Sequence, residues 1–180
     1  MNLAIFYEGL FFVAIATAFF GLVGWAWKDI KPYALPQPLP GWFKVWFLTM
    51  QIGGGLLPLI ALGWASWQGA APVVWALASY FLLLGLQIIS ESLSLRRFHS
   101  AVFVMVPYLY LPYRIWQLYQ SWLLLQSTSD WVWIQRLLLA EIVLWTLNYA
   151  LDLSQLPRLF HWEGSTSQPL PADRPLDPSQ

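Results

Sequence analysis

AVFVMVPYLYLPYRIWQLYQSWLLLQSTSDWVWIQRLLLAEIVLWTLNYALDL, residues 101–153, decides how the chain is read. It consists of two apolar runs, Ala101 to Leu125 and Trp131 to Leu153, joined by Gln126–Asp130. A bilayer core about 30 Å thick is crossed by roughly 20 mostly apolar helical residues, and each run meets that length. So short a link forces antiparallel neighbours. The segment predicts a transmembrane hairpin.

Working outward, three further stretches qualify: Leu3 to Trp27, interrupted by Glu8, Phe43 to Trp67, and Val73 to Leu95. The links Gln68–Pro72 and Arg96–Ser100 are also short, whereas Lys28 to Gly41 carries Pro32, Pro36, Pro38 and Pro40 and reads as an extended strap. The expected fold is therefore all-α: a polytopic integral membrane protein, a five-helix transmembrane bundle with short loops. It occupies residues 1–163, with spans of about 3–27, 43–67, 73–95, 101–125 and 131–153. Residues 164–180, GSTSQPLPADRPLDPSQ, predict a disordered C-terminal tail. The first run lacks a basic leader and exceeds a signal-peptide core, so it reads as a retained helix.

Composition agrees. Of 180 residues, 58% are hydrophobic and 10% charged, with a mean hydropathy of +0.55; a soluble domain carries about 25% charge. Nine basic residues balance nine acidic ones, so no electrostatic excess exists to attract nucleic acid. The absence of cysteine excludes disulfides, thiolate metal sites and cysteine catalysis.

The charges orient the bundle. Lys28, Lys31 and Lys44 lie around the first loop, Arg96 and Arg97 at the third, Arg158 and Arg174 after the last span, while the N-terminus and the other loops carry no Lys or Arg. Alternating positive loops predict an N-terminus outside or lumenal and a cytoplasmic C-terminus. Tryptophans mark both interfaces: Trp25, Trp27, Trp42, Trp46 and Trp162 on the inner side, Trp64, Trp67, Trp75, Trp122, Trp131 and Trp133 on the outer. Trp116 and Trp145 fall between.

Ionisable groups inside a span demand a partner or a purpose. Arg114 and Glu141 sit at matching depth in the hairpin, so the two side chains are expected to meet. Tyr110, Arg114, Gln117 and Ser121 share one face of their helix, and Glu141, Trp145, Asn148 and Asp152 share one face of the next. Two readings fit. One is a structural ion pair that fixes helix register; the other is a small polar cavity whose arginine grips a ligand oxygen, with Glu141 as counter-ion. Pro107 and Pro112 interrupt the same helix and free carbonyls, for which the nearby tyrosines are candidate partners. Gln87, Glu91 and Ser94 form a secondary polar cluster, read as local pairing with Arg96 or Arg97 or as a proton or cation route. Gly53, Gly54 and Gly55 before Pro58 predict close helix packing or a hinge. Glu8 and Arg136 are shallow enough to snorkel.

The only histidines, His99 and His161, lie in loops, so no paired in-span haem ligands exist, and no HExxH, GxSxG, P-loop or GxGxxG is present. No cofactor and no metal is assigned. Length, span number and tryptophan content are similar to those of five-span translocator-type proteins. The stretch PLPGWFKVWF, residues 38–47, does not match that family's proline- and tryptophan-rich segment, and no residue role is carried over. Scarce lysine with abundant Trp, Gln and Leu resembles cyanobacterial membrane proteins, implying a thylakoid or plasma membrane. The expected function is a non-catalytic accessory or assembly subunit, with the lipid bilayer and membrane-protein partners around it. The alternative is a binder or carrier of a small amphipathic ligand (lipid, quinone or pigment) at the Arg114–Glu141 site.

Overall fold

In a computed structural model, residues 3–26, 41–98, 102–126 and 131–157 are described. The proline strap, the loop histidines, Arg158, Arg174 and the tail 164–180 lie outside them. All the regular structure among the described residues is helical: α1 (Leu3–Ala26), α2 (Gly41–Gln51), a π-helical segment Ile52–Leu56, α3 (Leu57–Trp67), α4 (Ala71–Phe98), α5 (Val102–Gln126) and α6 (Val132–Ser154). α2, the π segment and α3 form one continuous rod.

Four of these rods are long and apolar enough to cross a membrane: Tyr7–Ala26, Gly41–Trp67, Ala71–Arg97 and Val132–Ser154. α5 has the length but not the apolar character; it carries Arg114, Gln117, Gln120 and four tyrosines. Five spans were expected; four helices among the described residues are long and apolar enough, and α5, read as the fourth span, is not one of them. α5 packs against α4 on one side and α6 on the other, which shields that polarity from lipid.

The packing order follows the chain and then closes. α3 lies on α4, α4 on α5, α5 on α6, and α6 returns to the π segment, while α1 lies outside this ring against α4 and α5. Two clusters fill the interior. The larger, inside the ring, includes Ala61, Ala65, Val73, Leu77, Tyr80, Leu118, Leu138 and Trp145. The smaller, under α1, joins Ala16, Phe20, Leu83, Val106 and Tyr110.

Glycine makes the closure possible. A Cβ on Gly53 would come within 2.7 Å of Leu144 Cδ2, and one on Gly54 within 3.0 Å of Trp145 Cζ2. The glycines therefore serve close packing between the rod and α6, as small residues do in membrane bundles. α2, beyond that contact, buries no residue of its own. Its tie to α6 is the Trp46 indole, which donates to Asn148 Oδ1 at 2.9 Å. Trp46→Phe is therefore expected to loosen α2 alone: amide exchange should accelerate several-fold over residues 41–51, as loss of a bond worth about 1 kcal/mol predicts. Unchanged exchange there would mean that lipid contact, not this bond, holds α2.

Candidate functional site

The site lies inside the ring, where α4, α5, α6 and the π segment converge. Arg114 enters from α5 and is completely buried, although it is among the largest side chains in the protein. Its guanidinium carbon stands 4.1 Å from the centroid of the Trp145 ring and 5.6 Å from that of Tyr80. Two aromatic faces thus solvate the cation, an attraction worth roughly 2 kcal/mol where water is excluded.

The rings are themselves held by hydrogen bonds. Trp145 Nε1 lies 3.1 Å from both Glu141 Oε2 and Tyr80 Oη and donates between them. The Tyr80 hydroxyl in turn donates to the carbonyl of Gly54. A π-helical turn pairs its backbone one residue further along than an α-helix, and the π segment here presents that carbonyl to the ring interior. A continuous chain therefore runs from the Gly54 backbone through Tyr80 and Trp145 to Glu141.

Arg114 is next to this chain but outside it. Among the described residues, none of Nε, Nη1 and Nη2 has a hydrogen-bond partner. The Arg114–Glu141 relation expected from matching depth is consequently not a direct bond. Trp145 mediates it, stacking on one group and donating to the other. The carboxyls of Glu141 and Glu91 still act on the guanidinium through space. Two further buried atoms lack partners, Oε1 of Gln117 and Oε1 of Gln87.

The remaining residues singled out in the sequence divide between two neighbourhoods. Gln117 is buried one turn from Arg114 on the same face of α5. Gln87 Nε2 donates to Glu91 Oε1 at 2.8 Å, with Ser94 buried further along α4. Tyr110 points away from the aromatic pair: its hydroxyl is 3.0 Å from Ser90 Oγ, and its ring meets Phe12 edge-on. Asn148 serves the rod, accepting from Trp46 and donating to Asp152 Oδ2 at 3.3 Å. The Tyr108 hydroxyl ties the proline-bearing stretch of α5 to α6 by donating to the Asp152 carbonyl at 2.6 Å.

Tyr80 and Gly54 belong to the site and were not singled out for it. Tyr80 was legible as the start of the α4 polar stripe, two helical turns before Gln87. The Gly54 carbonyl carried no such signal, because a backbone acceptor leaves no mark in residue type.

A shallow crevice with room for about one water molecule, about 10 Å³, lies between α1, α4 and α5, lined by Gly9, Val13, Ser79, Leu82, Leu86 and Gln117. Among the described residues, no group of three His, Asp or Glu side chains is placed to hold a metal ion. In comparisons with protein-family models, curated proteins and solved structures, the chain matches none.

Proposed function

We propose that this chain is a non-catalytic integral membrane protein that crosses the bilayer five times, N-terminus out and C-terminus in, and holds the polar head of a small amphipathic molecule at Arg114. One observation carries the reading: a fully buried guanidinium whose three nitrogens have no hydrogen-bond partner among the described residues. Each buried unsatisfied donor costs about 1–3 kcal/mol, and more when charged. Together they outweigh the roughly 2 kcal/mol supplied by the aromatic faces. A purely structural role returns little for that cost, since apolar replacements of buried charges are often neutral or stabilising. A ligand oxygen in the guanidinium plane would engage donors that the ring stacking leaves free. Glu141 and Tyr80 then act as positioning residues, fixing Trp145 beneath the cation.

Native mass spectrometry of the full chain from its own membrane, set beside Arg114→Lys, tests this. Lysine keeps the charge but lacks the planar fork that both stacks and donates in plane. The expected result is one retained small molecule in the wild type, lost from a folded Arg114→Lys protein. The same small molecule retained by both chains, or none retained by either, overturns the reading.

A second reading, an accessory subunit of a larger complex, draws on the outer faces of the rods. No residue of α2 is fully buried, and a Cβ on Gly55, Gly63 or Gly85 would meet no atom within 4 Å. Such open small-residue positions suit close approach by a partner helix. Stoichiometric protein partners without a bound small molecule would favour this second reading over the first.

A further inference from the structure

Glu8 is exposed on α1, and no hydrogen bond or ion pair joins it to another described residue. Its depth is set by the contacts of its neighbour. Gly9 lines the crevice together with Leu82, Leu86 and Gln117, and a Cβ on Gly9 would lie 3.7 Å from the Tyr113 hydroxyl. Leu82 and Leu86 stand near the middle of α4, and Tyr113 and Gln117 near the middle of α5. Glu8 is therefore deeper than its place in the first span suggested: it lies near mid-depth of the bundle. An ionisable group is costly there unless it is paired, and the stem of glutamate is shorter than those of the residues that snorkel.

The face that carries Glu8 runs along most of the helix. Glu8, Phe11, Ile15, Ala18 and Leu22 recur at alternating spacings of three and four, the heptad seam of a left-handed helix pair, and all five are exposed. Ala14 and Gly21, also exposed, flank the seam with small residues, and a Cβ on Gly21 would meet no atom within 4 Å. α1 lies outside the ring of helices, against α4 and α5, so this seam is at the edge of the molecule.

We propose that a second copy of this chain covers the seam, α1 packing in parallel on α1 about a two-fold axis along the membrane normal. Two features select a copy. The occupant must bring a polar group to the depth of Glu8, and such an axis sets each residue opposite its own counterpart at equal depth. A protonated carboxyl, moreover, both donates and accepts. Two of them face to face close a pair of O–H···O bonds, and each satisfies the other away from lipid.

The chain has no cysteine, so single-cysteine variants report the contact directly. In lipid vesicles, Ile15→Cys and Leu22→Cys are expected to form disulfide-linked dimers on mild oxidation. Leu147→Cys, on α6 and as exposed as Ile15, should not. Energy transfer between labelled copies of the full chain gives the dimer constant. Glu8→Ala should weaken it at least about fivefold, the worth of interhelical hydrogen bonds in lipid. Glu8→Gln, whose amide also donates and accepts, should stay within about twofold. Ala18→Phe adds bulk to an exposed position of the seam, should weaken the dimer as well, and serves where Glu8→Ala does not fold. Linking at Leu147 as readily as at Ile15 overturns the inference, as does wild-type dimerisation of Glu8→Ala and Ala18→Phe. So does a chain that stays monomeric at every protein-to-lipid ratio, or a different protein cross-linked at Ile15 in the native membrane, which would assign the face to that partner.

Discussion

Trp145→Ala is expected to cost about 3–5 kcal/mol of stability, the range for removing a large aromatic side chain from a packed interior. Trp145 is only 7% exposed and bridges the site. Its ring lies under the Arg114 guanidinium, its Nε1 serves Glu141 and Tyr80, and its edge fills the notch at Gly54. Alanine leaves a cavity, an unstacked cation and an unbonded carboxyl together. In detergent the unfolding midpoint should fall by on the order of 10 °C, the scale for a chain of this size. Trp145→Phe keeps a ring without the donor and should lose less than half as much. A midpoint within about 2 °C of wild type for Trp145→Ala would show that the aromatic pair does not hold the ring of helices together.

Arg114→Met is expected to do the opposite. The side chain keeps its length and apolar stem but loses a charge whose three donor nitrogens are unmatched among the described residues. Replacement of buried charges by apolar residues of similar volume has been neutral or stabilising by about 1–4 kcal/mol. Glu141 and Glu91, left without the cation, can take up protons rather than remain charged. The variant should therefore unfold at the same temperature or several degrees higher, while losing any retained small molecule. Such a trade of function for stability marks a binding residue. A fall of more than about 2 kcal/mol would assign Arg114 to architecture instead, as removal of one member of a true buried ion pair does.

Much of the helical layout was legible because apolar runs and short polar links are properties of the local sequence. The helices α5 and α6 occupy the hairpin quoted at residues 101–153 almost residue for residue. The packing order was not legible. α1 and the rod are apolar around most of their circumference, so periodicity names no preferred neighbour. What selects α6 as the rod's neighbour is the depth of the notch at Gly53 and Gly54, and the glycine triplet indicated close approach without naming the partner. The matching depth of Arg114 and Glu141 pointed to α5 and α6, which pack directly on one another. Trp145 was read on the same stripe as Glu141, one turn away, but its place between the two was not legible, because sequence alone cannot say which of two stacked side chains reaches the cation. The polar character of α5 was visible residue by residue, yet the run was long enough to pass as a span of the ordinary kind. Only the packing of α4 and α6 on its two sides accounts for a helix so rich in polar groups.

The π-helical stretch Ile52–Leu56 also acts as a phase element within the rod. In a regular α-helix each residue advances the rotation by about 100°, so azimuth and position along the axis are locked together. A wider turn breaks that lock. The half-rod on one side aims Trp46 at Asn148, while the half on the other seats Ala61 and Ala65 in the core. With the rod in uninterrupted α register, satisfying one of these aims would rotate the other toward lipid. The five residues thus work as a universal joint of fixed angle, letting one rod meet two neighbours whose surfaces are out of step.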